Sequence, residues 1–244
     1  MLFGKGYIVV FIITFILTGC EKVIFSGEGE VVILQEEFDS FSKISFYDIF
    51  AVELRSDSIF SVEIETRERY LDQISFSVDS GNLVLHDHNK VKWLPDYSWP
   101  VVRISFPELT DQILLESPVI MTTRDTLHAP SLNILSLGKT GDLNLAIDTD
   151  KFQFTTGSDN SGYYRFSGRT TYSKMWPRGS SIIDASGLEA SHCYIYNNSI
   201  GDCTVRVNIK LEARLNTMGN VYYYGNPQEV FLIEESGSGR LISK

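Results

Sequence analysis

The sequence has little sulfur, histidine or proline: three cysteines, four histidines and seven prolines among 244 residues. Three cysteines cannot build a multiply cross-linked scaffold, so a hydrophobic core has to hold the fold. His86 and His88 share one face of a strand, but two imidazoles alone do not make a metal site. Basic residues are also few, 21 Lys and Arg against 31 Asp and Glu, a formal charge of −10. A surface of that sign repels nucleic acid and anionic headgroups, and no local basic cluster offsets it; nucleic acid is excluded as a partner. No stretch after the first twenty residues carries a convincing helical period, and the one helical turn expected, "RERYLDQ" (67–73), is short. No cofactor-binding motif is present.

Only the N-terminus is continuously apolar. In "MLFGKGYIVVFIITFILTGC" a single cation, Lys5, precedes an apolar run from Tyr7 to Leu17. That run suits a signal-peptide core and falls short of the ~20 residues a membrane-spanning helix needs. It ends in Leu17-Thr18-Gly19-Cys20, which resembles the bacterial lipobox. The expectation is a signal peptide over 1–19, acylation at Cys20 and a short polar tether over 20–28. The acyl chains then hold the protein on a membrane by burying CH₂ groups at ~0.8 kcal/mol each. Glu21 in place of an aspartate after the cysteine points to the outer membrane, on either its periplasmic or its outer face. The mature chain has 244 − 19 = 225 residues and, having lost only Lys5 among the charged groups, a formal charge of −11.

What is abundant is alternation with β-branched and aromatic residues, the signature of strands. "KISFYDIFAVEL" (43–54), "FSVEIET" (60–66), "ISFSVDSGNLVLHDH" (74–88) and "VVRISFP" (101–107) carry it, the third with a turn at Ser80-Gly81-Asn82. Beyond about residue 130 the pattern repeats around Gly141, Gly162, Gly179, Gly201, Gly219 and Gly239, at intervals of 21, 17, 22, 18 and 20. A period near twenty with strand alternation predicts the coils of a β-solenoid. Glycine is expected at each bend for its tolerance of positive φ. A β-sandwich is the rival architecture.

"GEGEVV", "FDSFSKISFYDIFAVEL", "VDSGNLVLHD", "VRISFPELTDQI", "SLNILSLGKTGDLNLAI" and "GNVYYYGNPQEV…ESGSGR" together resemble the head GIN domain family of auto-transporter adhesins, from about Gly29 to Arg240. The resemblance implies an all-β fold, a right-handed single-stranded parallel β-helix in two lobes, in exported proteins and lipoproteins of Bacteroidetes. It implies no enzymatic activity. On this reading an N-terminal lobe covers 29–125 and a solenoid lobe 126–244. The family's Gly-Ser-Gly corners are degraded here to "LGKTGD", "NSIGDC" and "WPRGSS", and only 237–239 keeps the full form.

Alternation points Tyr222 and Tyr224 outward, and likewise Tyr194 and Tyr196 one coil earlier. Stacked coils would bring these four side by side, joined by Tyr163 or Tyr164, in a patch for a glycan or a protein partner. Cross-strand pairing of outward aromatics to stabilise the sheet is the plainer explanation. Cys193 and Cys203 both point inward beside the Gly201 corner, as two buried thiols or as a disulfide. Asp142, Asp202 and Asn220, each after a corner glycine, could line a calcium ladder; hydrogen bonding to their own turns explains them more simply. The alternative function is a carbohydrate-active enzyme on a β-helix. It needs clustered carboxylates, whereas Asp148, Asp150, Asp159 and Asp184 read as scattered. His192 and Cys193 point to opposite faces and cannot act as base and nucleophile.

Overall fold

The computed structural model describes residues 29–94, 97–108 and 111–244. The expected signal peptide (1–19), the tether (20–28) and the acylation site Cys20 lie outside these residues. The first part of the body comprises β1 (Val31–Phe38), β2 (Lys43–Phe46), β3 (Phe50–Ser56), β4 (Phe60–Arg67) and a helical turn, α1 (Glu68–Leu71). β5 (Ile74–Asp79), β6 (Asn82–Asp87), β7 (Val101–Phe106), β8 (Gln112–Leu115) and β9 (Val119–Thr123) follow. The strands then lengthen as β10 (Leu127–Ser136), β11 (Asp142–Thr156), β12 (Tyr163–Trp176), the short β13 (Arg178–Gly179), β14 (Ile182–Ser199) and β15 (Cys203–Leu215). β16 (Val221–Tyr224), β17 (Glu229–Glu235) and β18 (Leu241–Ser243) come last.

These strands wind into a right-handed parallel β-solenoid of about 7 turns. Each long strand bends through a corner, so one element contributes to more than one wall. The first wall runs β6, β2, β8, then the C-terminal halves of β10, β11, β12, β14 and β15, then β17. The second runs β7, β3, β9, the N-terminal halves of β11, β12, β14 and β15, then β16 and β18. A third, starting at Leu127, stacks 127–129, 147–149, 168–170 and 188–190.

The N-terminal part departs from a simple winding. The coil made by β6 and β7 stacks outside that of β2 and β3, while β8 and β9 continue on the other side. β5 pairs antiparallel with β6, β4 with β7 and β1 with β4. The hairpin turn uses left-handed Ser80 (φ 51°) and Gly81 (φ 76°). Reversed strands laid on a coil end cover hydrogen-bonding groups that would otherwise recruit another chain. Phe38, Phe41, Phe60 and Phe76 pack there edge to face, at 4.9 Å for Phe41 and Phe60.

Inward residues form ladders along the axis. On the first wall Leu83, Ile44, Ile113, Ile134, Phe154, Met175, Ile195 and Ala213 succeed one another in register. All are buried in one core that extends from Phe41 to Val221. Each of these side chains larger than Ala213 contributes roughly 1.5–3 kcal/mol on leaving water.

Glycine serves the corner differently from the expectation. None of Gly141, Gly162, Gly201, Gly219 and Gly239 has positive φ; that conformation belongs to Gly81, Gly168, Gly179 and Gly225. What the corner demands is close approach of stacked backbones. A Cβ on Gly162 would sit 2.6 Å from the Gly141 carbonyl oxygen, and one on Gly219 would sit 2.6 Å from that of Ser199. Gly179 lies in a neighbouring column over Asn160, and Ser181 takes the corner place in its coil. With 181 for 179 the corner repeats at 21, 19, 20, 18 and 20 residues. Beneath it runs a buried polar seam. Asn160 donates to the Gly138 carbonyl (2.7 Å) and accepts from Gly162 N–H, Tyr164 Oη and Ser181 Oγ (2.9, 2.8 and 2.7 Å). Asn197 donates to the Gly219 carbonyl at 2.9 Å.

Candidate functional site

On the first wall, β12 and β14 present their outward residues side by side. Alternation buries Ser173, Met175, Cys193 and Ile195 and turns Tyr172, Lys174, Trp176, Tyr194 and Tyr196 out. Lys174 stands opposite Tyr194 in the parallel register. The five outward side chains line a cleft of about 310 Å³. One side is rigid: Trp176 and Tyr196 stack with ring centroids 5.3 Å apart and 19° between planes. Arg178 lies 3.9 Å above the Trp176 ring, and Arg214 lies 6.0 Å from that of Tyr196. Asn216 Nδ2 donates to Tyr196 Oη at 3.0 Å, which fixes the phenol. Tyr172 and Tyr194 take no part in any ring or cation stack among the described residues. Burial, with Glu212, Cys193 and Tyr194 nearby, pushes the Tyr172 phenol above its usual pKa, so it stays a neutral hydroxyl.

The structure divides the four expected tyrosines. Tyr222 and Tyr224 lie on the second wall, in register with Thr204 and Arg206. Tyr194 and Tyr196 lie on the first, in register with Glu212 and Arg214. The reason is the corner: 203–206 and 221–224 follow it, while 194–196 precede it, so a one-coil offset never superposes the pairs. On the second wall Lys244 covers Tyr222 (4.6 Å) and Arg206 covers Tyr224 (5.4 Å). Tyr163 is exposed there with Arg165 over its ring at 4.9 Å, whereas Tyr164 is fully buried. Tyr172, Lys174 and Trp176 went unnoticed in the sequence, although subtracting twenty from 194 and 196 lands on 174 and 176.

Cys193 and Cys203 are free thiols on different walls, not a disulfide. Burial raises both thiol pKa values, that of Cys193 to about 11. His86 and His88 stack on each other at 5.3 Å, His86 facing Asp48 (3.5 Å) and His88 facing Ser75 Oγ (3.1 Å). No group of three or more metal-ligating side chains occurs among the described residues. Asp202 and Asn220 bond the next coil rather than their own turns: Asp202 accepts from Asn220 N–H (2.8 Å) and Asn220 Oδ1 from Arg240 N–H (2.9 Å).

Of the four carboxylates that read as scattered, Asp148 and Asp150 come to one cleft, while Asp184 lies on the second wall opposite Arg165. On the third wall Asp148, Arg169 and Glu189 fall in one column of alternating charge, with His128 beside Asp148 at its start. Asp148, Asp150, Arg169 and Glu189 help line a second cleft of about 340 Å³. A glycosidase acid needs a raised pKa. Asp148 has the reverse: the Arg169 guanidinium, bonded at 2.7 Å, holds its carboxyl below the usual range. This column is a cross-strand charge ladder.

A family model described as putative auto-transporter adhesin, head GIN domain, matches residues 40–227. Among solved structures, a putative adhesin from Bacteroides fragilis superposes with a TM-score of 0.79 at 17% identity. Putative adhesins from Parabacteroides distasonis and Parabacteroides merdae give 0.61 at 14% and 0.59 at 16%. Each alignment covers 89% of this chain and 98% of the other. At such identities the likeness carries the fold alone. No curated protein matches the chain, and no helix among the described residues is long and apolar enough to cross a membrane.

Proposed function

The chain belongs to the putative auto-transporter adhesin, head GIN domain family, and from that premise we propose a non-catalytic binding module of the cell envelope whose aromatic cleft holds a glycan. In this reading acylation at Cys20 anchors the module to the outer membrane.

The observation that carries it is the cleft itself: two open tyrosine rings, Tyr172 and Tyr194, beside the locked Trp176–Tyr196 stack. A flat ring with a polar edge suits the apolar face and hydroxyl rim of a pyranose. Rings already fixed by packing lose little freedom on binding. A protein partner would ask for about 800 Å² per side, whereas a cleft of about 310 Å³ has the dimensions of a sugar or two.

The test is a glycan array probed with the full-length lipoprotein, a Tyr172→Ala/Tyr194→Ala variant and a Tyr222→Ala/Tyr224→Ala variant. The first variant should bind at least about tenfold more weakly, at roughly 1 kcal/mol or more per ring; the second should bind as the wild type does. Full binding by the first variant would remove the cleft as the site. Shortened oligosaccharide after incubation would overturn the non-catalytic reading, and a Cys20→Ser protein still carrying lipid would overturn the anchor.

A further inference from the structure

The charge pattern of the first wall narrows the class of sugar. Its acidic residues near the cleft are already engaged: Glu212 pairs with Lys210 at 3.2 Å and Glu234 with Arg214 at 3.3 Å. Arg178 is held over the Trp176 indole at 3.9 Å. Glu229 lies beyond Glu212, on β17, opposite Lys210. Two cations remain. Lys174 is exposed, lines the cleft between Tyr172 and Trp176 and has no ion-pair partner among the described residues. Lys151 is exposed and unpaired in the same way, one coil away in the column of Tyr172. Both open rings therefore adjoin a free ammonium, Tyr172 beside Lys151 and Tyr194 beside Lys174.

We infer that the cleft selects carboxylated saccharides, a uronate or a sialic acid, stacking the sugar on Tyr172 and Tyr194 and pairing its carboxylate with Lys174. This rests on the cleft being the glycan site. A neutral sugar would leave the one unpaired charge of the cleft without use. The formal charge of −10 repels an anionic ligand at long range, so selection has to come from contact, where a charge-assisted hydrogen bond is about twice as strong as a neutral one.

The experiment measures binding of the full-length protein to matched oligosaccharides: uronate-bearing and sialylated, each beside its carboxyl-reduced counterpart. Reduction should weaken binding about tenfold. Lys174→Met should erase that difference, so that each acidic sugar and its reduced counterpart bind the variant equally. Lys139→Met, an exposed lysine away from the cleft, should leave the preference intact. A preference confined to one of the two acidic series identifies the source of the carboxylate. Equal binding of parent and reduced sugars, or a preference surviving Lys174→Met, overturns the inference while glycan binding stands. Binding of no sugar at all overturns both.

Discussion

Replacing Gly219 with alanine tests why the corner column is rich in glycine. The new Cβ would lie inside the van der Waals envelope of the Gly201 carbonyl oxygen, 2.6 Å from the Ser199 oxygen and 2.9 Å from Asn197 Nδ2. Two of these atoms are backbone of the preceding coils and cannot rotate away. Relief requires the coils to part locally, which stretches the buried hydrogen bond from Asn197 to the Gly219 carbonyl. Overpacking costs roughly 1–3 kcal/mol and a buried amide left unpaired about the same again. A loss of about 3 kcal/mol lowers Tm by roughly 6–12 °C in a domain of this size. Gly141→Ala is the control in the same column. There the nearest atoms are the Tyr164 hydroxyl at 3.3 Å and the Val119 oxygen at 3.4 Å, so the change should stay within about 1 kcal/mol. Urea melts and calorimetry on both variants give the answer. Equal Tm values, or a Gly219→Ala protein as stable as the parent, would refute the close-approach argument.

Tyr164→Phe removes the hydroxyl that donates to Asn160 (2.8 Å) and contacts Ser136 (2.9 Å); a loss of about 1–2 kcal/mol is expected in urea melts, against about 3–5 kcal/mol for Tyr164→Ala. Burial pushes the Asp48 pKa upward, but the Lys92 hydrogen bond at 2.8 Å, the Asp87 N–H and the charges of Lys92 and His86 outweigh it and hold it below the usual 3.8. A carboxyl with its folded pKa depressed contributes stability above the unfolded value and loses it as pH falls through the folded one. The urea midpoint should therefore drop as pH falls below 3.8, and less steeply in a Lys92→Met variant. Cys193 and Cys203 should resist iodoacetamide at neutral pH until urea unfolds the protein; fast labelling of the native state would show that the core opens locally.

The coil period and the inward ladders were legible because stacking imposes them on side-chain type: a residue twenty positions on faces the same interior. The hairpin at 74–88 was legible from Ser80-Gly81. The exchange of β6–β7 with β2–β3 was not, since every strand of the first wall alternates alike and composition does not label neighbours. Gly179 misled for a local reason: it has the left-handed φ of 68° that a bend suggests, yet stands beside the corner Ser181 fills. That two-residue error did not split the tyrosines. The corner did, because alternation reports inside and outside but not which outer wall a residue joins. Lys174 was invisible for the opposite reason, since a lone lysine in an outward position looks like any solvated charge until Tyr194 appears beside it.

Hydroxyl-radical footprinting on the full-length protein, with and without a mixed-glycan ligand pool, tests the central claim most directly. Protection should fall on Tyr172, Tyr194 and the exposed edge of Trp176, with Tyr163, Tyr222 and Tyr224 oxidised as before. Protection centred on the second wall, with the β12–β14 cleft unchanged, would contradict it.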